Sequence, residues 1–123
     1  LYLVSKGIPL LGNESSSSDL LPGTLHMMIL KTLNRGPLHG YAIAKCIRDW
    51  SKGELEIEDG SLYPALARML SKGWLAAEWG ETQNNRRARF YRLTPAGKKR
   101  LEAESNSFHK VIRAIQLVMR TSS

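Results

Sequence analysis

The sequence is poor in the residues that mark several large classes of protein. It contains a single cysteine, Cys46, so no internal disulfide forms and a disulfide-stapled secreted scaffold is excluded. Apolar runs end after a few residues at a Lys, Arg, Glu or Gly, far short of the roughly 20 residues that a membrane span needs. We therefore expect a cytoplasmic protein that does not cross a membrane.

The residue groupings of catalytic and metal sites are also missing. The histidines, His26, His39 and His109, are scattered, and no Cys pair, HExxH pattern, phosphate-binding Gly loop or nucleophile elbow accompanies them. We interpret all three as surface or packing residues, and Cys46, on the apolar side of its predicted helix, as a small core residue. The sequence predicts no enzyme, no metal site and no cofactor.

Acidic residues are scarce in the last third of the chain, and this is where the charge becomes informative. Residues 86–123 hold ten Lys and Arg against two Glu, a net charge of +8, while residues 1–85 carry a net charge of −1. With 123 residues and 42% hydrophobic residues, the chain suits one folded domain. A basic excess confined to one region favours a polyanionic partner, with a merely solvated basic face as the alternative.

Turn and cap residues divide the chain into elements. Residues 1–18, with a Ser-rich run, predict a flexible tail. Helical spacing and caps predict three helices: one capped by Asp19 with Pro22 in its first turn, one from His39 to Ser51, and one with Pro64 in its first turn that ends at Gly73. The alternation at residues 55–58 indicates a short strand.

The rest of the chain changes periodicity. Residues 75–81 and 88–93 are rich in aromatic and aliphatic residues and flank a polar turn, which predicts a β-hairpin. Thr94 as N-cap and Pro95 at the first position begin a helix that reaches about residue 119. The predicted fold is mainly α with a small β-hairpin: a winged helix-turn-helix at residues 19–94 and a C-terminal dimerisation helix at residues 95–123.

Candidate DNA contacts lie on the second helix, the third helix and the hairpin. We expect a polar side of the third helix made of Ser61, Tyr63, Ala65 and Arg68, with Lys72 at its end. Arg68 is the long donor able to bond guanine bidentately. Caps, half-buried packing and solvated surface positions are the alternatives for these residues. The predicted DNA-binding residues are Tyr41, Lys45, Ser61, Tyr63 and Arg68 on the two helices and Arg86, Arg87 and Arg89 on the hairpin, or wing.

The last helix carries an apolar seam suited to a second helix. Its members recur at steps of three and four residues, and they are Phe108, Val111, Ile112, Ile115, Val118 and Met119. A two-fold dimer built on this seam would present two third helices to half-sites about one DNA turn apart. Trp50, Trp74 and Trp79 are expected in the core, with a small-molecule cleft as the alternative, so any effector is unidentified.

Several motifs together resemble one known family. They are Leu-Pro-Gly-Thr-Leu at 21–25, His-Gly-Tyr at 39–41, Gly-Ser-Leu-Tyr-Pro-Ala-Leu at 60–66, Lys-Gly-Trp at 72–74, and the stretch from Arg86 to Gly97 that contains Tyr-Arg-Leu-Thr-Pro-Ala-Gly. The chain resembles the PadR family of bacterial winged-helix transcriptional regulators, and is most similar to its short members common in acidobacterial genomes. The resemblance implies a dimeric repressor that contacts DNA through Tyr41, Ser61, Tyr63 and the wing.

The sequence and the resemblance lead to one main expectation. The protein is a sequence-specific DNA-binding regulator, expected to be a repressor, that binds double-stranded DNA at a palindromic operator as a homodimer. Its third helix is expected in the major groove and its basic wing on the DNA backbone. The alternative is a winged-helix module that binds protein or RNA without promoter specificity.

Overall fold

Four helices and three short strands alternate along residues 23–122, the part of the chain that the computed structural model describes. Their order is α1 (Thr24–Leu33), β1 (Leu38–His39), α2 (Gly40–Trp50), α3 (Asp59–Ser71), β2 (Leu75–Glu81), β3 (Arg87–Leu93) and α4 (Pro95–Met119). The predicted succession of three helices, a hairpin and a last helix is confirmed. The predicted tail at residues 1–18 lies outside the described residues. The prediction that Asp19 caps the first helix with Pro22 in its first turn is wrong, because α1 begins at Thr24 and its N-cap is Gly23.

The core lies between the first three helices and the sheet. Aliphatic side chains three and four residues apart fall on one side of each helix, and these sides meet. The buried apolar residues are Ile29, Leu30, Leu33, Ile43, Ile47, Ile57, Leu62, Ala65, Leu66, Met69, Leu75 and Tyr91. Burial of one large side chain contributes about 1.5–3 kcal/mol, so this cluster fixes α2, α3 and the hairpin relative to one another.

The three strands form one antiparallel sheet in the order β1-β3-β2. The hairpin register pairs Leu75 with Leu93 at the base and Glu81 with Arg87 at the tip. At the other edge, β1 is only two residues long and pairs Leu38 with Tyr91. Because Tyr91 is buried, the base of the hairpin is anchored in the core while its tip extends away from it.

Side-chain caps begin two of the helices, and the sequence predicts the one at Thr94. The His39 side chain accepts a hydrogen bond from the backbone N–H of Ala42 at 3.2 Å and caps α2. The Thr94 hydroxyl oxygen accepts one from the backbone N–H of Gly97 at 3.0 Å, with Pro95 in the first turn of α4. Each cap satisfies a helix-end N–H that would otherwise lack a partner.

Three further local predictions are wrong. Residues 55–58 form no strand, because the alternation there only places Leu55 and Ile57 against the core while the adjacent Glu side chains stay exposed. The third helix begins earlier than Pro64 suggests, since Glu58 is its N-cap and Pro64 is its sixth residue. Ala65, expected on the polar side of this helix, is fully buried.

Glycine is required where α4 crosses the start of β2. A Cβ on Gly97 would lie 2.1 Å from the carbonyl oxygen of Trp74 and 2.9 Å from Leu93 Cδ1. The Thr94 hydroxyl, one turn earlier, also donates to the carbonyl of Gly73 at 2.7 Å. The first turn of α4 is therefore packed directly on the backbone that enters the hairpin.

Candidate nucleic-acid interface

Two tyrosines, Tyr41 and Tyr63, lie near the starts of α2 and α3. Tyr63, in the second turn of α3, lies against the backbone of Gly40, where a Cβ would fall 2.5 Å from the phenol oxygen. Tyr41, the next residue of α2, is 70% exposed. Partial burial and the nearby carboxylate of Asp59 raise the pKa of Tyr63 above its ordinary value, so its hydroxyl stays protonated and able to donate a hydrogen bond.

An open cleft of about 230 Å³ joins these tyrosines to the hairpin. Tyr41 and Tyr63 line one side, and Arg89 and Tyr91 of β3 line the other. The Arg89 guanidinium lies over the Tyr91 ring, 5.9 Å from its centroid. Two hydroxyl donors and one guanidinium thus surround one concave surface, which is a donor set suited to a phosphate oxygen.

The same face of the hairpin continues the cleft toward the tip. Side chains alternate along β3, so Arg87 and Arg89 point to the same face as Tyr91, and Trp79 of β2 is opposite Arg89. The Arg87 guanidinium stacks on the Trp79 ring, 4.8 Å from its centroid. Such stacking contributes about 0.5–1 kcal/mol at an exposed site and limits the directions that the guanidinium adopts.

The turn at the tip is built on one threonine. The Thr82 hydroxyl oxygen accepts hydrogen bonds from the backbone N–H groups of Asn84 (3.3 Å) and Arg86 (3.2 Å), and Asn85 adopts a left-handed φ of 60°. Arg86, Arg87 and Arg89 are exposed, and within residues 23–122 no carboxylate lies within ion-pair distance of them. The hairpin is therefore a defined loop with free positive charge.

The structure separates the remaining predicted contacts from this cleft. Lys45 forms an ion pair with Asp49 at 2.8 Å, which raises the pKa of Lys45 through the hydrogen bond and the opposite charge. Arg68 lies about 140° around α3 from Tyr63, on the side that faces His26. Ser61 is half-buried on the same edge as Arg68.

Trp79 is the functional candidate that the sequence analysis missed. The tryptophans are expected in the core, but Trp79 is 60% exposed and Trp50 is 45% exposed, while Trp74 is half-buried. The signal that could have found Trp79 is its position opposite Arg89 in the predicted hairpin, near the tip and beyond the reach of the core. Trp50 lies on α2, Trp79 on β2, and Trp74 between α3 and β2.

The other residues considered for chemistry have structural roles. His39 stacks on Phe90 with the ring centroids 5.3 Å apart and also lines the cleft, His26 packs edge-on against Trp74, and His109 is exposed on α4. Cys46 is half-buried at the edge of the core. Among residues 23–122 no three His, Cys, Asp or Glu side chains converge as metal ligands.

The predicted seam on α4 is only partly covered by the rest of the chain. Phe108, Ile112 and Ile115 are half-buried, while Val118 and Met119 near the end of the helix are 70% and 76% exposed. Leu117, also exposed, lies off the seam. The helix has 25 residues, about 38 Å, and its last turns leave an apolar surface.

The sequence places this geometry in a family. Residues 29–103 match the profile described as "Transcriptional regulator PadR-like family". The chain belongs to this family. A family of transcriptional regulators, not of enzymes, agrees with the scattered histidines, and the narrower resemblance to acidobacterial members stays a prediction.

Solved PadR-family structures share the fold. A PadR family transcriptional regulator from Eggerthella lenta is 32% identical, with a TM-score of 0.69 over 81% of this chain and 85% of that chain. A transcriptional regulator from Clostridium thermocellum is 30% identical, with a TM-score of 0.70 over 76% of this chain and 91% of that chain. The four helices and small antiparallel sheet are therefore a winged helix of the PadR type.

Two further relatives come from the sequence comparison. A protein designated X from Lysinibacillus sphaericus is 26% identical over 102 residues, which cover 83% of this chain and 94% of that protein. A 37.1 kDa protein in transposon TN4556 of Streptomyces fradiae is 40% identical over 85 residues, or 69% of this chain but 23% of that protein.

Along residues 23–122, no helix combines the length and apolar character that a membrane span requires.

Proposed function

We propose that this PadR-family chain is a repressor that binds a palindromic operator in double-stranded DNA as a homodimer. The observation that carries the proposal is the continuous donor surface made by the Tyr41–Tyr63 cleft and the arginine face of the hairpin. Its donors are phenol hydroxyls and guanidinium groups, which suit phosphate oxygens. In this arrangement α3 enters the major groove and the hairpin follows the backbone as the wing.

The predicted DNA contacts fall into groups according to the surface on which they lie. Tyr41, Tyr63 and Arg89 hold a phosphate beside the start of α3, while Arg86 and Arg87 extend the contact along the hairpin. Lys45 reaches the backbone after exchanging Asp49 for a phosphate, since its ion pair is exposed. Ser61 and Arg68 belong to the opposite edge of α3, where a bidentate guanine bond from Arg68 is the sequence-based hypothesis.

Dimerisation through α4 supplies the second half of the operator contact. The seam of Phe108, Val111, Ile112, Ile115, Val118 and Met119 leaves its distal members exposed, and a second copy of the same helix would cover them. In this proposal residues 19–94 bind DNA and residues 95–123 hold the dimer. A small-molecule effector has no assigned site.

The proposal is tested by DNA binding at two salt concentrations. The purified protein is titrated with the duplex upstream of its own gene and with random duplex of equal length. A specific regulator prefers the first by about a thousandfold or more, and the preference survives at the higher salt. Equal, weak binding that disappears with salt would contradict promoter recognition and favour a protein- or RNA-binding module instead.

A further inference from the structure

A second basic surface lies on the edge of α3 away from the cleft. Trp74, just after the helix, carries two cations on its ring: the Arg100 guanidinium is 4.6 Å and the Lys72 ammonium 5.7 Å from the centroid. Arg68 is exposed on the same edge and acts electrostatically on His26, which packs against Trp74. We call Arg68, Lys72 and Arg100 the distal edge.

The distal edge keeps an excess of positive charge. Along residues 23–122 its one ion-paired carboxylate is Glu104, which pairs with Arg100 and is largely covered. Within residues 23–122, Arg68 and Lys72 have no acidic partner within 4 Å. Lys72 and Arg100 both lie over the Trp74 ring. Arg68 is near enough to His26, which packs against that ring, to lower the pKa of His26. Three cations held there with one carboxylate leave a net positive charge, which favours an anionic partner.

The two edges of α3 flank a face without long side chains. Gly60, Pro64, Ala67 and Ser71 recur along the exposed side of the helix, between Tyr63 on one edge and Arg68 on the other. An α-helix with its side chains is about 10–12 Å wide, and the major groove is about 12 Å wide. A helix inserted with this face toward the base pairs therefore brings both of its edges to the phosphates that border the groove.

We infer that the distal edge is a second phosphate-binding surface, which holds the DNA strand across the major groove from the strand held by the wing and the Tyr41–Tyr63 cleft. The inference rests on the proposed function and assigns Arg68 and Lys72 to the backbone rather than to bases. Arg100, paired with Glu104 and stacked on Trp74, limits the motion of the ring over which Lys72 also lies. Phosphate contacts on both sides of the major groove fix how deeply α3 enters it.

The test is the salt dependence of binding to a random 24-base-pair duplex. The Arg68→Gln/Lys72→Gln variant is compared with Lys110→Gln/Arg113→Gln, which removes the same charge from exposed positions on α4. Each lost phosphate contact lowers the slope of log K against log salt by about 0.9, so we expect a decrease of about 2 per protomer for the first variant beyond that of the control. The charge-conserving Arg68→Lys/Lys72→Arg variant should keep the slope of the unaltered protein.

Two outcomes would overturn the inference without touching the proposed function. One is a slope equal to that of the α4 control while alanines at Arg86, Arg87 and Arg89 still weaken binding. The other is an unchanged slope with altered discrimination between operator duplexes, which would return Arg68 to a guanine contact. If the unaltered protein binds no duplex at all, both the inference and the proposed function fail.

Discussion

Tyr63 and Arg68 are five residues apart on one helix, yet they serve different surfaces. Tyr63 packs on Gly40 at the start of α2, and Arg68 faces His26 on α1. Helical geometry alone separates them by about 140°. The sequence predicts both residues on one polar side together with Ala65, but Ala65 is fully buried, so that side contains a core position.

His26 should make the stability of the protein depend on pH. Burial, with the charges of Arg68, Arg100 and Lys72, lowers the pKa of His26 below its ordinary 6.5, and Glu104 opposes this only in part. Below about pH 6.5 the unfolded chain therefore binds more protons than the folded chain, so the free energy of unfolding falls as the pH decreases. We expect His26→Gln to reduce this loss between pH 7.5 and 5, measured by urea unfolding.

The matched control for this prediction is His109→Gln, which removes an exposed imidazole from α4. Its unfolding free energy should decrease with acidification as it does in the unaltered protein. Identical pH dependence in the two variants would show that protonation of His26 does not oppose folding.

The burial and the contacts of single residues were the features hardest to predict from the sequence. Tryptophans usually add to a core because of their area, but Trp79 is at a hairpin position that the core does not reach, and it supports Arg87 instead. Burial depends on where an element lies in three dimensions, and spacing along the chain does not contain that information. His39 is a similar case, since its stacking on Phe90 depends on the pairing of β1 with β3.

At the scale of elements, the sequence predicts helices and strands correctly where the residues that form them are close together along the chain. The hairpin bounds agree within one residue, because the strands are adjacent in sequence and the polar turn between them is short. Thr94 and Pro95 begin α4 as predicted, since a cap acts within one turn. The two-residue strand β1 was not predicted, because Leu38 pairs with Tyr91, which is far along the chain. Residues 55–58 have the alternating pattern of a strand but form none.

The contact between α4 and β2 makes Gly97→Ala a strong test of element packing. The new methyl group would meet the Trp74 carbonyl oxygen at 2.1 Å, so α4 must move away from the hairpin. Overpacking of this kind costs about 1–3 kcal/mol, and we expect thermal unfolding at a lower temperature. Gly60→Ala is the control: nothing lies within 4 Å of its Cβ, and alanine inside a helix stabilises by about 0.5–1 kcal/mol. Equal stability of the two variants would contradict the packing of α4.

At the scale of the whole molecule, the assembly depends on the α4 seam. Replacing Ile112 and Ile115 by Lys puts two charges on the half-buried part of the seam, and we expect the mass in solution to fall from that of a dimer to that of a monomer. Light scattering coupled to size exclusion measures this change. Ala103→Lys/Ala114→Lys adds the same charge at exposed positions off the seam and should leave the mass unchanged.

An unchanged mass after the Ile112 and Ile115 substitutions would show that the seam is not a dimer interface, whether the protein is a monomer or a dimer. The winged-helix assignment would remain, because it rests on the described fold and the family match. DNA binding by one protomer would then depend on the cleft, the wing and the distal edge alone.

The most direct test of the central claim is the affinity of the Arg86→Ala/Arg87→Ala/Arg89→Ala variant for DNA across a salt series. Its control is Lys98→Ala/Lys110→Ala/Arg113→Ala, which removes three exposed charges from α4. If the wing holds the phosphate backbone, binding to every duplex weakens and the salt slope decreases by up to about 2.7 per protomer, well beyond the control. Affinity and slope equal to those of the control would contradict the placement of DNA on the wing and the cleft beside it.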